Sequence, residues 1–228
     1  ISMANSVLVI AESGSGKSTS IRTLDPKETA IINIANKPLP FRGWKSNYTV
    51  LDKSNPNGNL VNVSSGPGVY KAMQHISEKM PHVKVLVVDD WQYMSSFEYF
   101  DKANEKGYDK FTQIAANLAQ VAKLPKDLRE DLTIFFLTHA EESTDVNGNR
   151  KVKAKTVGKM IDNALTLEGL FSIVLFGKVR KEDDGTLSYG FETQNNGENT
   201  CKSPMGMFED SFIPNDLAYV RDAILAYE

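Results

Sequence analysis

The chain has 228 residues, 41% of them hydrophobic, and a formal net charge of −3. That is enough apolar material for one well-packed α/β domain, and the acidic balance means that any nucleic-acid contact must come from a local basic patch. A single cysteine, Cys201, excludes an internal disulfide, three histidines beside it do not make a zinc set, and no apolar run approaches the ~20 residues of a membrane helix. With no signal peptide in view, these features point to a soluble cytoplasmic protein without a membrane partner. Ile1-Ser2 before Met3 reads as a cloning remnant, which leaves one domain over residues 3–228 with no room for another ahead of it.

Val7-Leu8-Val9-Ile10 reads as a buried strand and Ser20-Ile21-Arg22-Thr23-Leu24 as a helix. Between them lies Ala11-Glu12-Ser13-Gly14-Ser15-Gly16-Lys17-Ser18-Thr19. Strand, glycine-rich loop and helix form the setting of a phosphate-binding P-loop. Gly14 and Gly16 let successive N–H groups converge on phosphate oxygens, and the helix N-terminus adds its dipole. Glu12, Ser13, Gly14, Ser15, Gly16, Lys17, Ser18 and Thr19 are therefore the expected nucleotide-binding residues, with ATP and Mg²⁺ the implied cofactors. Lys17 reaches the β- and γ-phosphates, facing phosphate and not core, while the Ser18 hydroxyl ligates Mg²⁺. The pattern normally opens with glycine. Ala11 stands there instead, and a small residue is expected to cost little.

Asp25-Pro26 marks a turn, and Thr29–Ile34 reads as a second buried strand. Lys37 to Trp44 holds two prolines and a glycine and reads as a loop. Short strands are expected around Tyr48–Leu51 and Leu60–Val63, either side of the turn at Asn55-Pro56-Asn57-Gly58. Ser65-Gly66-Pro67 opens a helix with Val69, Met73, Ile76 and Met80 on one face. Val85-Leu86-Val87-Val88-Asp89-Asp90 then matches a buried strand ending in acid, the Walker B pattern, in which Asp89 holds the Mg²⁺ shell through water. Phe111, Ile114, Ala115, Leu118, Val121 and Ala122 give a core-facing helical stripe. Tyr108 and Phe111 could stack bases, but core packing is the preferred reading.

Leu132–Leu137 is a further buried strand and ends in Thr138-His139. Residues 141–159 are the most polar stretch, with a turn at Asp145-Val146-Asn147-Gly148-Asn149. Arg150, Lys151, Lys153, Lys155 and Lys159 follow with no acid among them, which suits either a solvated hairpin or contact with a phosphate backbone. Met160–Leu167 reads as a short amphipathic helix, Leu170–Phe176 as a strand, Leu187–Thr193 as its hairpin partner, and Leu217, Val220 and Ile224 as one face of a closing helix.

Additional-strand P-loop ATPases carry a polar sensor at the end of the strand after Walker B, and here that slot falls on Thr138 and His139. The arginine-rich lid of a nucleoside kinase and the Asn-Lys-x-Asp base reader of a GTPase are not in the sequence. Ala11 to Ser18 resembles the Gly-Glu-Phe-Gly-Ser-Gly-Lys-Thr loop of archaeal and eukaryotic RecA-family recombinases. Lys37-Pro38-Leu39-Pro40-Phe41, Thr138-His139 and Lys202-Ser203-Pro204 are similar to those of a phage-borne group, compact RecA-like ATP-binding proteins found beside recombination and single-strand-annealing genes. The likeness runs from Ser6 to Tyr227.

It implies an α/β P-loop NTPase with a RecA-like additional-strand core, a mostly parallel central sheet and a C-terminal β-hairpin. It also implies ATP hydrolysis at subunit interfaces of a homo-oligomer, in the cytoplasm of a bacterial host, with phage recombination proteins as partners. Single-stranded DNA would bind loops after the Walker B and sensor strands, which places Arg150, Lys151, Lys153, Lys155 and Lys159 as DNA contacts. His139 would sense the γ-phosphate, and Lys202 would reach a neighbouring subunit's nucleotide. Recombinases of this type carry a catalytic Glu after the second strand, where this chain reads Ile34-Ala35-Asn36, and they form filaments through an N-terminal segment not found here. Asp90 is then the expected water-activating acid, with Glu12, Glu141 and Glu142 as alternatives and a solvated acid or a helix cap as its other reading. A nucleotide or small-molecule kinase, and a nucleotide-dependent binding module with little hydrolysis, are the competing functions.

Overall fold

The computed structural model describes residues 3–228; Ile1 and Ser2 lie outside the described residues. In chain order the elements are β1 (Asn5–Ala11), a 3-10 helix (Ser18–Thr23), β2 (Thr29–Asn33), α1 (Trp44–Asn47), β3 (Leu60–Val61), α2 (Gly66–Lys79), β4 (Val85–Asp89), α3 (Gln92–Asp101), α4 (Asp109–Lys123), β5 (Thr133–Thr144), β6 (Arg150–Ala154), α5 (Lys159–Ala164), β7 (Ile173–Lys181), β8 (Leu187–Glu192), β9 (Phe212–Pro214) and α6 (Leu217–Tyr227). The strands lie in the order β3-β2-β4-β5-β1-β7-β8-β9, with β6 paired to β5. From β3 to β7 every pairing is parallel; β7-β8-β9 and β5-β6 are antiparallel. The strand inserted between β1 and β4 is β5, the additional-strand arrangement, and β7-β8 is the C-terminal hairpin.

Alternation along β1 explains why the sheet is covered on both faces. Leu8 and Ile10 join Ile32, Leu86, Val88 and Phe136 under α2, α3 and α4. Val7 and Val9 join Ile31, Val87, Phe135 and Leu137 under the 3-10 helix and α6. Ser65 caps α2 by accepting from Gly68 N at 3.1 Å, and Asp216 caps α6 by accepting from Tyr219 N at 2.9 Å. Trp91, just past β4, wedges against Phe136 (4.5 Å between ring centroids) and Phe171 (6.1 Å), so the end of β4 rests on an aromatic floor.

Two expectations change. No strand forms over 48–51: α1 turns through Trp44–Asn47, and only Val50 bridges to Leu60. The helix after the P-loop is a six-residue 3-10 turn and not an α-helix, so it contributes little macrodipole, and anion binding falls to loop N–H groups and Lys17. The polar stretch beyond Thr138 is a hairpin, because β5 runs on to Thr144 and pairs with β6. Phe111 packs against the core near Tyr99, whereas Tyr108 is 72% exposed.

Candidate active site

A cleft of about 530 Å³ opens over the C-terminal ends of β1, β5 and β2, where parallel sheets place their ligands. The P-loop forms its near wall. Gly14 (φ +78°) and Gly16 (φ +87°) take the left-handed conformations their lack of Cβ permits. Ser15 closes the turn, its hydroxyl donating to Glu12 O at 2.7 Å. The alanine at the loop's first position is explained by its neighbour. Ala11 pairs in register with Gly177 on β7, where a Cβ would stand 2.8 Å from that of Ala11.

Beyond the loop, Lys17, Ser18, Asp89 and Asp90 meet out of solvent. Lys17 Nζ donates to Asp90 Oδ1 at 2.6 Å, to Asp89 Oδ1 at 3.2 Å and to Ser18 Oγ at 3.2 Å; Ser18 Oγ donates to Asp89 Oδ1 at 2.9 Å. Burial opposes the charge on Lys17, but the two carboxylates together outweigh it and hold its pKa above the usual lysine value. Lys17 is only 6% exposed, so it is structural as well as part of the cleft wall. Asp89 Oδ2 is buried and has no hydrogen-bond partner among the described residues. A free carboxylate oxygen beside a serine hydroxyl is the hard-oxygen donor set that Mg²⁺ takes, so these residues fit the ion.

Asp90 is neither a solvated acid nor a helix cap. Its side chain is fully buried, its backbone sits at φ +55°, and Trp91 occupies the N-cap of α3. That left-handed conformation costs on the order of 1 kcal/mol and is held by the two cations on the side chain. Lys37, from the loop after β2, places Nζ 2.7 Å from Asp90 Oδ2. Burial pushes the carboxyl's pKa up, and Lys17 and Lys37 bring it below the ordinary value.

His139 Nε2 lies 3.7 Å from Asp90 Oδ1, and Gln92 fixes the strand end, its Oε1 accepting from His139 N at 3.1 Å and Thr138 Oγ1 at 3.4 Å. Burial and then Lys17 lower the imidazole pKa against the pull of Asp90, with Lys37 and Lys155 adding to the fall, so the ring is neutral at pH 7.

Several of these partners carry no local sequence signal. Asn215, after β9, donates from Nδ2 to Gly16 O at 2.9 Å and accepts at Oδ1 from Arg22 Nη1 at 3.0 Å, while Tyr189 on β8 lines the same end of the cleft. Lys37 was legible as a loop residue and as part of the Lys37–Phe41 resemblance, with no role in the site. All three come from distant segments that the sheet order brings together.

The five cations after the turn divide. Arg150 Nη2 lies 2.5 Å from Glu12 Oε1, also bonds Glu142, and its Nη1 is 3.8 Å from Glu198. Lys151 donates to Gly197 O at 2.5 Å, and Lys153 lies 2.7 Å from Asp162 and 3.9 Å from Glu141. Across residues 141–154 the three acids Glu141, Glu142 and Asp145 balance Arg150, Lys151 and Lys153. Lys155 and Lys159 are exposed, with no ion pair among the described residues; the Lys155 N–H donates to His139 O at 2.9 Å, beside the cleft. Lys202 is apart from the cleft: its backbone bridges Val174, which pairs with Leu8 in the middle of β1.

No curated protein matches the chain. Among solved structures, the flagellar accessory protein FlaH from Methanocaldococcus jannaschii is similar at 12% identity, covering 90% of this chain and 83% of its own, with a TM-score of 0.42. No helix among the described residues is long and apolar enough to cross a membrane. The sequence matches the family described as AAA domain over residues 3–205, and the chain belongs to that family of P-loop ATPases.

Proposed function

We propose that this AAA-domain chain binds Mg·ATP in the P-loop cleft and hydrolyses it, with Asp90 as the water-activating acid. The observation that carries this reading is the buried contact of Lys17, Ser18 and Asp89, which puts the phosphate lysine, the metal hydroxyl and the metal carboxylate within 3.2 Å of one another. Loop N–H groups hold the phosphate chain, and Lys17 is drawn onto it from the carboxylates. Bound Mg²⁺ would be held by Ser18 and Asp89 and would neutralise charge between the β- and γ-phosphates. Asp90 orients the attacking water and accepts its proton as the bond to the ADP oxygen breaks. Neutral His139 is placed to donate or accept one hydrogen bond at the same spot.

Single-stranded DNA is the partner we infer, in the phage recombination setting that the sequence resemblance suggests. What supports it is narrow: Lys155 and Lys159 are exposed, and Lys155 adjoins His139. Assembly through the nucleotide, with Lys202 serving a neighbour, belongs to the same inference. The test is steady-state ADP release by wild type and Asp90→Asn, with and without single-stranded DNA. Activity lost in Asp90→Asn and raised by DNA in wild type supports both parts. Activity that needs a small phosphoryl acceptor instead makes the chain a kinase.

A further inference from the structure

Lys37 is the residue of the cleft that neither the P-loop nor the Walker B strand requires. Its backbone is clamped by Asn33, whose Nδ2 donates to Lys37 O at 2.8 Å and whose Oδ1 accepts from Lys37 N at 3.4 Å. Asn36 before it takes φ +50°, and Pro38 and Pro40 follow, so the origin of the side chain is fixed. The side chain itself is 48% exposed and lines the cleft. Its ammonium carries three donors and lies 2.7 Å from Asp90 Oδ2 as an ion pair.

The sheet order sets which end of a nucleotide this cation faces. Tyr189 and Asn215, from β8 and the segment after β9, lie on one side of the P-loop strand. His139 on β5, then Asp89 and Asp90 at β4, then Lys37 after β2, lie on the other. The two carboxylates belong to the metal end of the phosphate chain, so the nucleoside lies toward Tyr189 and the chain's free end points toward β2. Resting on the nucleotide reading above, we propose that Lys37 is a second phosphate-binding cation, bridging Asp90 and the terminal phosphoryl group, and that it makes the site prefer a nucleoside triphosphate over the diphosphate.

The test is calorimetric titration of ADP and of a β,γ-imido analogue of ATP, each with Mg²⁺, into wild type, Lys37→Ala and Lys37→Arg. Loss of a charge-assisted contact in Lys37→Ala should weaken the triphosphate analogue about tenfold or more while ADP affinity is retained. Retained ADP binding also shows that the variant is folded. Lys37→Arg should keep most of the preference. Equal weakening of both nucleotides, or no change in either, overturns the inference while the cleft remains a nucleotide site. Wild type that binds neither nucleotide overturns the underlying reading as well.

Discussion

Two charged clusters flank the P-loop, and they are built in opposite ways. In one, Lys17 and Lys37 meet Asp89 and Asp90, and both carboxylates are out of solvent. In the other, Arg150 meets Glu12, Glu142 and Glu198, and every partner is between 40% and 54% exposed. Both contain short ion pairs, yet the carboxylates are shut off from water in the first and open to it in the second. A buried cluster leaves charge stranded when one member goes, whereas an exposed one relaxes into solvent and salt. The first is therefore where nucleotide binding and stability are coupled. The second fixes the hairpin's position and contributes little free energy.

The largest effect that could break this contrast is on Lys17. Lys17→Ala strands Asp89 and leaves Asp90 with Lys37 alone, so urea unfolding should show a loss of about 3–5 kcal/mol. Adding Asp89→Asn should return part of it. A single variant as stable as wild type would show that the buried cluster is relaxed by water after all.

Next comes the glycine across the ladder from Ala11. Gly177→Ala drives a Cβ to 2.8 Å from that of Ala11, and overpacking of this kind costs about 1–3 kcal/mol. Thermal melts should show Ala11→Gly rescuing it. Without rescue, the two positions are not coupled as their register suggests.

A smaller effect separates the clusters by pH. His139 has a folded pKa below its unfolded one, so between the two values the unfolded chain binds more protons. Its contribution is complete above about pH 6.5 and is lost as pH falls through the folded value. Asp90, also lowered, keeps its contribution above the ordinary carboxylate pKa and loses it only in stronger acid. Denaturation midpoints of wild type and His139→Gln should therefore converge as pH drops below 6.5. The smallest effect is that of Arg150→Ala, for which melts should show no measurable shift at physiological salt. A clear loss that persists in high salt would contradict the account of the exposed cluster.

What the sequence carried was local. Gly14, Gly16, Lys17 and Ser18 sit in one loop, and Asp89 ends one apolar run, so neighbouring residues alone identify them. β1, β2, β4 and β5 were legible because both faces of a parallel sheet are buried, which leaves continuous apolar runs. α3 was not read, because Trp91-Gln92-Tyr93-Met94 mixes polar and aromatic residues without a clean stripe. Tyr189 and Asn215 were silent, and Lys37 carried a resemblance but no role, because their place depends on strand order. The hairpin's ion pairs were hidden for the same reason. Counted along the chain, residues 150–159 are cationic, but pairing β5 with β6 sets Glu141 opposite Lys153, and the fold brings Glu12 and Glu198 to Arg150.

The central claim is that the buried cluster is a magnesium–nucleotide site, and the most direct measurement is calorimetric binding of ATP with and without Mg²⁺ to wild type and Asp89→Asn. Wild type should bind ATP more tightly when Mg²⁺ is present, and Asp89→Asn should bind with little dependence on the metal. ATP affinity in wild type that is absent, or that Mg²⁺ leaves unchanged, would contradict the account.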